Sequence, residues 1–249
     1  MIIDISQHNT IVNWDNVKES CDGVIVRMGY TGYTSGRMVF DKKYYEYMDA
    51  IKSRNIPYGL YYFPASITAQ EAENEAEFIG VELIMTDKPE LGIWLDSELS
   101  EPHGKGRADN LSRNQRTEFL HIIKERLALY GFEVGIYGST SWLNNRLDMS
   151  RLPGPVWVAQ YNTECTYKGS YNLWQYTSKG SIPGIVGNVD FSRVVDAISD
   201  NTGIVDQELD NAVEVFAQRV IAGKFGQGHN TRKEKIYKLI KQRVNDILK

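Results

Sequence analysis

The stretch Gly92-Ile93-Trp94-Leu95-Asp96-Ser97-Glu98 decides how this chain is read. Gly92 to Leu95 is apolar and strand-like, and it runs into two carboxylates two positions apart. Alternate residues of a strand share a face and rise about 3.3 Å each, so a strand continued through Glu98 sets the two acids on one side, about 6.6–7 Å apart. Two acids at the end of a buried strand repel each other and lie near apolar wall, and both effects raise the pKa of one of them. A proton donor beside a carboxylate is the pair that glycosidic bond hydrolysis uses. The plainer account is that the acids end a strand and cap a helix, and for a lone Asp-x-Glu that account has the better odds. The rest of the chain has to shift them.

Outward from this stretch, β-branched and aromatic enrichment between turn residues marks eight strands, at about 1–6, 23–30, 57–63, 92–98, 132–138, 156–161, 172–177 and 187–192. Most are continuous apolar runs, which suits strands buried on both faces of a parallel barrel. Helical patterns fall between the first strands, at 14–21, 41–54, 68–85, 111–130 and 140–147. Thr68 and Glu71 have capping-box spacing, and Gly131 fits a helix C-terminus. After Val156 three strands follow with no helix-length segment between them. The expected fold is α/β: an incomplete TIM-type barrel of five β/α units and three further strands, followed by a small helical module.

Chemistry in such barrels sits at the C-terminal ends of the strands. The predicted ends carry Asp4, Tyr30, Tyr62, Asp96 with Glu98, Tyr137, Gln160 with Tyr161, Gln175 with Tyr176, and Asp190. Carboxylates for acid/base work, aromatics for sugar faces and amides for hydroxyls make a carbohydrate-site inventory. Barrel packing explains any single Tyr among them equally well.

Composition narrows the classes. Hydrophobic content of 42% and charged content of 24% are those of an ordinary globular chain of 249 residues. A net charge of -4 argues against a general nucleic-acid binder. The charge is uneven: residues 206–249 carry +3 and the remainder -7. Cys21 and Cys165 do not make a disulfide framework and are expected as free thiols. No run is long enough to span a membrane. The opening Met1-Ile2-Ile3-Asp4 lacks the basic start of a signal peptide, so synthesis in the cytoplasm is expected. His8, His103, His121 and His229 form no zinc motif, and neither a metal nor an organic cofactor is expected.

Taken in order, these pieces resemble glycoside hydrolase family 25, the lysozymes of phage-type endolysins. The resemblance runs from about Ile2 to Ser199. It rests on Asp4-Ile5-Ser6 with Asn13-Trp14, Val24 to Tyr30, Gly59-Leu60-Tyr61-Tyr62-Phe63, Trp94 to Glu98, and Gly135-Ile136-Tyr137. Trp157 to Tyr161, Leu173-Trp174-Gln175-Tyr176 and Val189-Asp190 complete it. The family pattern often has His where this chain has Tyr62. The resemblance implies cleavage of the β-1,4 bond between N-acetylmuramic acid and N-acetylglucosamine. It makes Glu98 the general acid/base, with Asp96, Asp4 and Asp190 as the other acids of the cleft. Asp96 then acts either as nucleophile or as the group that orients the substrate's own N-acetyl for attack, and the larger predicted carboxyl separation favours the second. Tyr30, Tyr62, Tyr137, Gln160, Tyr161, Trp174 and Gln175 are the implied substrate contacts.

The boundaries read from the sequence are a catalytic barrel at 1–199, a linker at 200–206 and a helical module at 207–249. The last segment resembles the short helical wall-binding repeat of some phage lysins, with Phe225 where Trp is usual. That likeness implies that Gly226, Gly228 and Arg243 meet the wall. A helical cap or an oligomerisation element formed by the C-terminal helices is the alternative. The expected partner is bacterial peptidoglycan, not nucleic acid or membrane, with release to the wall through a holin-type pore if the protein is phage-encoded. A chitinase-like glycosidase and a non-catalytic glycan binder on the same fold are the competing functions. Retention of all four acids speaks against the binder, and the missing run of alternating acids speaks against the chitinase type.

Overall fold

The computed structural model describes residues 1–84, 86, 88–100 and 104–196. In chain order the elements are β1 (Ile2–Ile5), β2 (Thr10–Ile11), α1 (Trp14–Ser20), β3 (Gly23–Thr31), β4 (Met38–Phe40), α2 (Tyr44–Arg54) and β5 (Tyr58–Phe63). They continue with α3 (Ala69–Ile84), β6 (Ile93–Asp96), α4 (Arg113–Leu129), β7 (Gly135–Ser139), α5 (Thr140–Asn145), β8 (Val156–Ala159), β9 (Leu173–Gly180), β10 (Ile185–Val186) and β11 (Val189–Val194).

Eight of these strands close a barrel in the order β1, β11, β9, β8, β7, β6, β5, β3, with β3 pairing back to β1. The five β/α units and the three trailing strands match the sequence expectation. Two details do not. β4 extends the sheet antiparallel to β3, and β2 with β10 forms a separate short ribbon. β11 also runs antiparallel to both neighbours, β1 and β9, although every other barrel pairing is parallel. Asp190 therefore stands at the start of its strand rather than at the expected C-terminal end. Because that strand is reversed, its start lies at the same rim as the ends of the parallel strands.

Strand periodicity divides the side chains into two cores. The outer phase includes Ile3, Val24, Val26, Leu60, Tyr62, Leu95, Ile136, Val158 and Trp174, packed under the helices in the larger cluster. The inner phase fills the lumen with Ile2, Ile25, Trp94, Tyr137, Trp157, Ala159 and Leu173, flanked by Tyr61. Trp157 meets Trp94, Tyr137 and Tyr61 edge-on, and its Nε1 donates to Ser192 Oγ at 3.0 Å, so the lumen is a packed floor rather than a pore.

The helices begin and end as their sequences dictate. Asn13 caps α1 through its side-chain oxygen. Ser112 and Gln115 form the capping box of α4, and Gly131, at φ 77°, follows its last turn in the left-handed region that glycine tolerates. At α3 the expected box is only half formed. Thr68 accepts from Glu71 N, but the Glu71 carboxylate reaches back to Ile67 N and to Arg107.

Candidate active site

The inner phase of five strands continues past the aromatic floor into polar residues. Asp4 follows Ile2, Arg27 follows Ile25, Asp96 follows Trp94, Gln175 follows Leu173, and Asp190 precedes Ser192. Asp4 and Asp190 are direct partners in the β1–β11 ladder. Asp4 Oδ2 accepts from Gln175 Nε2 at 2.9 Å. Gln175 Oε1 accepts from Tyr137 at 2.8 Å and from Tyr161 at 3.0 Å, which leaves its amide nitrogen facing Asp4. Arg27 donates to the buried Asp41 at 2.8 Å, and its guanidinium lies over the Tyr30 ring.

These acids are packed closely enough to change one another. Burial, then Asp190, then Glu98 push the Asp4 carboxyl well above its ordinary range, against the hydrogen bond from Gln175. Burial, Glu98 and Asp4 do the same to Asp96, against the pull of Arg27. Burial brings Asp190 to about 6. Burial also holds the Tyr61 hydroxyl well above its usual value, with Arg27, Asp4 and Asp96 acting on it.

Glu98 is placed differently from the expectation. β6 ends at Asp96, so Glu98 stands in the following loop and the alternation of a strand does not set its direction. Asp96 is buried whereas Glu98 is exposed. Glu98 lines a cleft of about 600 Å³ with Tyr137, Ser139, Thr140, Ser141, Asn145, Ala159, Gln160 and Tyr161. The cleft thus runs from the rim of the acid cluster outward between the ends of β7 and β8.

Several expected substrate contacts lie elsewhere. Tyr62 is in the outer phase, 1% exposed, with its hydroxyl on Thr31 and its ring near Phe78 of α3. It does not reach the rim, and Tyr61 takes the inward position. Trp174 is likewise outside the barrel: its Nε1 is held by Gln160 O and Arg193 lies over its ring. Gln175 is inside, but its bonds to Asp4 and the two tyrosines make it a holder of Asp4. Gln160 and Tyr161 do line the cleft, with the Gln160 amide bound to Thr140 and Thr166. The sequence reading missed Arg27 and Tyr61 as inward groups, and Ser139, Thr140, Ser141 and Asn145 as cleft wall. Apolar runs such as Tyr58–Phe63 carry no mark of which phase turns inward. Gly226, Gly228 and Arg243, with the boundaries at 199 and 206, lie outside the described residues.

No cluster of His, Cys, Asp and Glu among the described residues is arranged to hold a metal ion. Cys21 and Cys165 are free thiols. No helix among the described residues is long and apolar enough to cross a membrane.

The chain is 26% identical over 199 residues to an autolytic lysozyme of Clostridium acetobutylicum, covering 79% of this chain and 56% of that protein. Its fold matches the modular autolysin LytC of Streptococcus pneumoniae, solved with a synthetic peptidoglycan ligand, at a TM-score of 0.65 and 29% identity. That match covers 77% of this chain and 45% of LytC, so this chain spans about half the length of these two relatives. The catalytic domain of endolysin ply40, from bacteriophage P40 of Listeria monocytogenes, shares the fold at a TM-score of 0.61 and 23% identity, covering 85% of this chain and 95% of that domain. A family model described as glycosyl hydrolases family 25 matches residues 3–185. That stretch is more than half of the chain and includes Asp4, Asp96 and Glu98, and the chain belongs to glycosyl hydrolases family 25.

Proposed function

We propose that this chain is an N-acetylmuramidase, a lysozyme that hydrolyses the β-1,4 bond between N-acetylmuramic acid and N-acetylglucosamine in peptidoglycan. The observation that carries the proposal is one carboxyl at the open cleft, Glu98, backed by Asp4, Asp96 and Asp190 in the barrel mouth, with Asp4 paired to Asp190 and acting on Asp96. Glu98 is the carboxyl that a glycosidic oxygen can approach from the cleft, so it is assigned proton transfer to the leaving group. Asp96 is the buried second carboxyl, and its assigned part is that of nucleophile or of holder of the substrate's acetamido group. Asp4 and Asp190 set the field around the site, and the serine, threonine and amide wall offers hydrogen bonds to sugar hydroxyls.

An endolysin acting on the bacterial wall suits the autolysin and endolysin relatives. In this reading residues 207–249 bind the wall and concentrate the barrel on it. Their sequence carries +4 against an anionic polymer. Deleting residues 206–249 is expected to spare cleavage of soluble fragments and lower lysis of intact cells; unchanged sedimentation of the truncated protein with purified walls would remove that assignment.

The decisive experiment is mass spectrometry of products released from purified walls. Reducible muramic-acid ends are expected; new glucosamine ends or free peptides would reject the muramidase. Glu98→Gln should lower the rate about 10²–10⁴-fold while the fold is kept. A well-folded Glu98→Gln protein with full activity would remove Glu98 from the role of acid.

A further inference from the structure

Glu98 stands in a loop, so something other than a strand must fix where its carboxyl goes. The residues on both sides of it are held. Ser97 N donates to Tyr137 O at 3.0 Å, and Ser97 Oγ accepts from Trp142 Nε1 of α5 at 2.9 Å. Gly138 lets this contact close, since a Cβ there would stand 3.1 Å from Ser97 O and 3.4 Å from Trp142 Cδ1. Two residues after Glu98, Ser100 gives its N and its Oγ to the Asp109 carboxylate at 3.0 and 2.7 Å. Gly106 N donates to the same carboxylate at 2.7 Å, and any side chain at Gly106 would collide with Ser100 Oγ.

One residue joins the two clamps. Arg116 of α4 is 6% exposed, its guanidinium lies 4.6 Å from the centre of the Trp142 ring, and its Nη2 donates to Ala108 O at 2.8 Å and to Asp109 O at 3.3 Å. Burial and Arg146 lower Arg116 to about 10, which still leaves it a cation at neutral pH. A buried cation fixed against an indole face and a loop backbone is an expensive arrangement for a segment that only connects a strand to a helix.

We propose that Trp142, Arg116 and Asp109 form a brace that positions Glu98, Trp142 gripping the chain before it through Ser97 and Asp109 gripping the chain after it through Ser100. All three act through the backbone of the loop and are positioning residues. The proposal rests on the assignment of Glu98 as the proton donor. A misplacement of about 1 Å in a reacting group can cost on the order of 100-fold in rate, so loosening one clamp should appear in turnover before binding.

The test uses the full chain and soluble peptidoglycan fragments. Trp142→Phe keeps the ring under Arg116 and removes the bond to Ser97; Ser97→Ala removes the same bond from the other side with little change in packing. Each is expected to lower kcat about tenfold with KM within about twofold and the melting temperature nearly unchanged. The double variant should lose no more than either single one, because the two changes break one bond. Wild-type kcat in a well-folded Ser97→Ala protein would overturn the brace, as would parallel loss of kcat, KM and thermal stability, which marks a fold element only. Glu98→Gln is measured alongside. If it alone is inactive while the brace variants match wild type, the brace fails and the acid stands. If Glu98→Gln is fully active, the acid assignment fails and the brace with it.

Discussion

Asp4 and Asp190 stand opposite each other as paired residues of the antiparallel ladder between the first and last barrel strands. The reversed direction of β11 brings the early acid of that strand to the rim where Asp4 ends its own. Both carboxyls are raised, chiefly by burial.

Those raised carboxyls make stability depend on pH. An acid raised in the folded state binds more protons there than in the unfolded chain, so its favourable contribution is complete below its unfolded value near 3.8 and is lost as the pH climbs through about 6 for Asp190. Asp190→Asn should flatten the fall in melting temperature between pH 4 and pH 7. In turnover, Asp4→Asn and Asp190→Asn should each lower the rate, with a combined effect that is not additive. Wild-type rates in both variants would show the two acids to be structural.

Gln175→Glu replaces the amide donor at Asp4 with a further acid in a buried place. The hydrogen bond at Asp4 is lost and repulsion takes its place, so the variant should be less stable at pH 7 than at pH 5 and slower at both. Thermal melts at the two pH values check this. A fall in melting temperature from pH 5 to pH 7 no larger than that of wild type would show that Gln175 does not hold Asp4.

Tyr61 and Tyr62 are adjacent in sequence and lie on opposite faces of β5. Tyr62→Phe should lose the bond to Thr31, worth about 1 kcal/mol, and leave kcat and KM alone. Tyr61→Phe changes a hydroxyl acted on by Asp4, Asp96 and Arg27 and should alter turnover. Steady-state kinetics beside denaturant unfolding separates the two, and a kinetic effect confined to Tyr62→Phe would reverse the assignment of the strand's phases.

Glu75 of α3 is a buried carboxyl away from the cleft, raised to about 7 by burial despite accepting from Ala65 N. By the same sign, its contribution to stability is full below its unfolded value near 4.5 and lost as the pH rises through about 7. Glu75→Gln should therefore melt higher than wild type at pH 8 and lose that advantage at pH 4. An equal difference at both pH values would show that Glu75 does not titrate in this range.

Much of this was legible in the chain itself. The strands were readable because each is a short run of β-branched and aromatic residues between turn signals, and the helices because their apolar positions recur at helical spacing. The end of α4 was written in Gly131. Asp4, Asp96 and Asp190 could be placed near strand ends because each adjoins a short apolar run. Tertiary structure decided the rest. Which phase of Tyr58–Phe63 or Leu173–Tyr176 turns inward depends on barrel closure, since both faces of those strands are buried and their residues look alike. The direction of β11 depends on which neighbours it pairs with, and that carried Asp190 to the rim. The end of β6 at Asp96, where pairing with β7 stops, left Glu98 to be placed by Asp109 of its own loop and by Trp142 and Arg116, which only the packing of α5 and α4 brings to that loop.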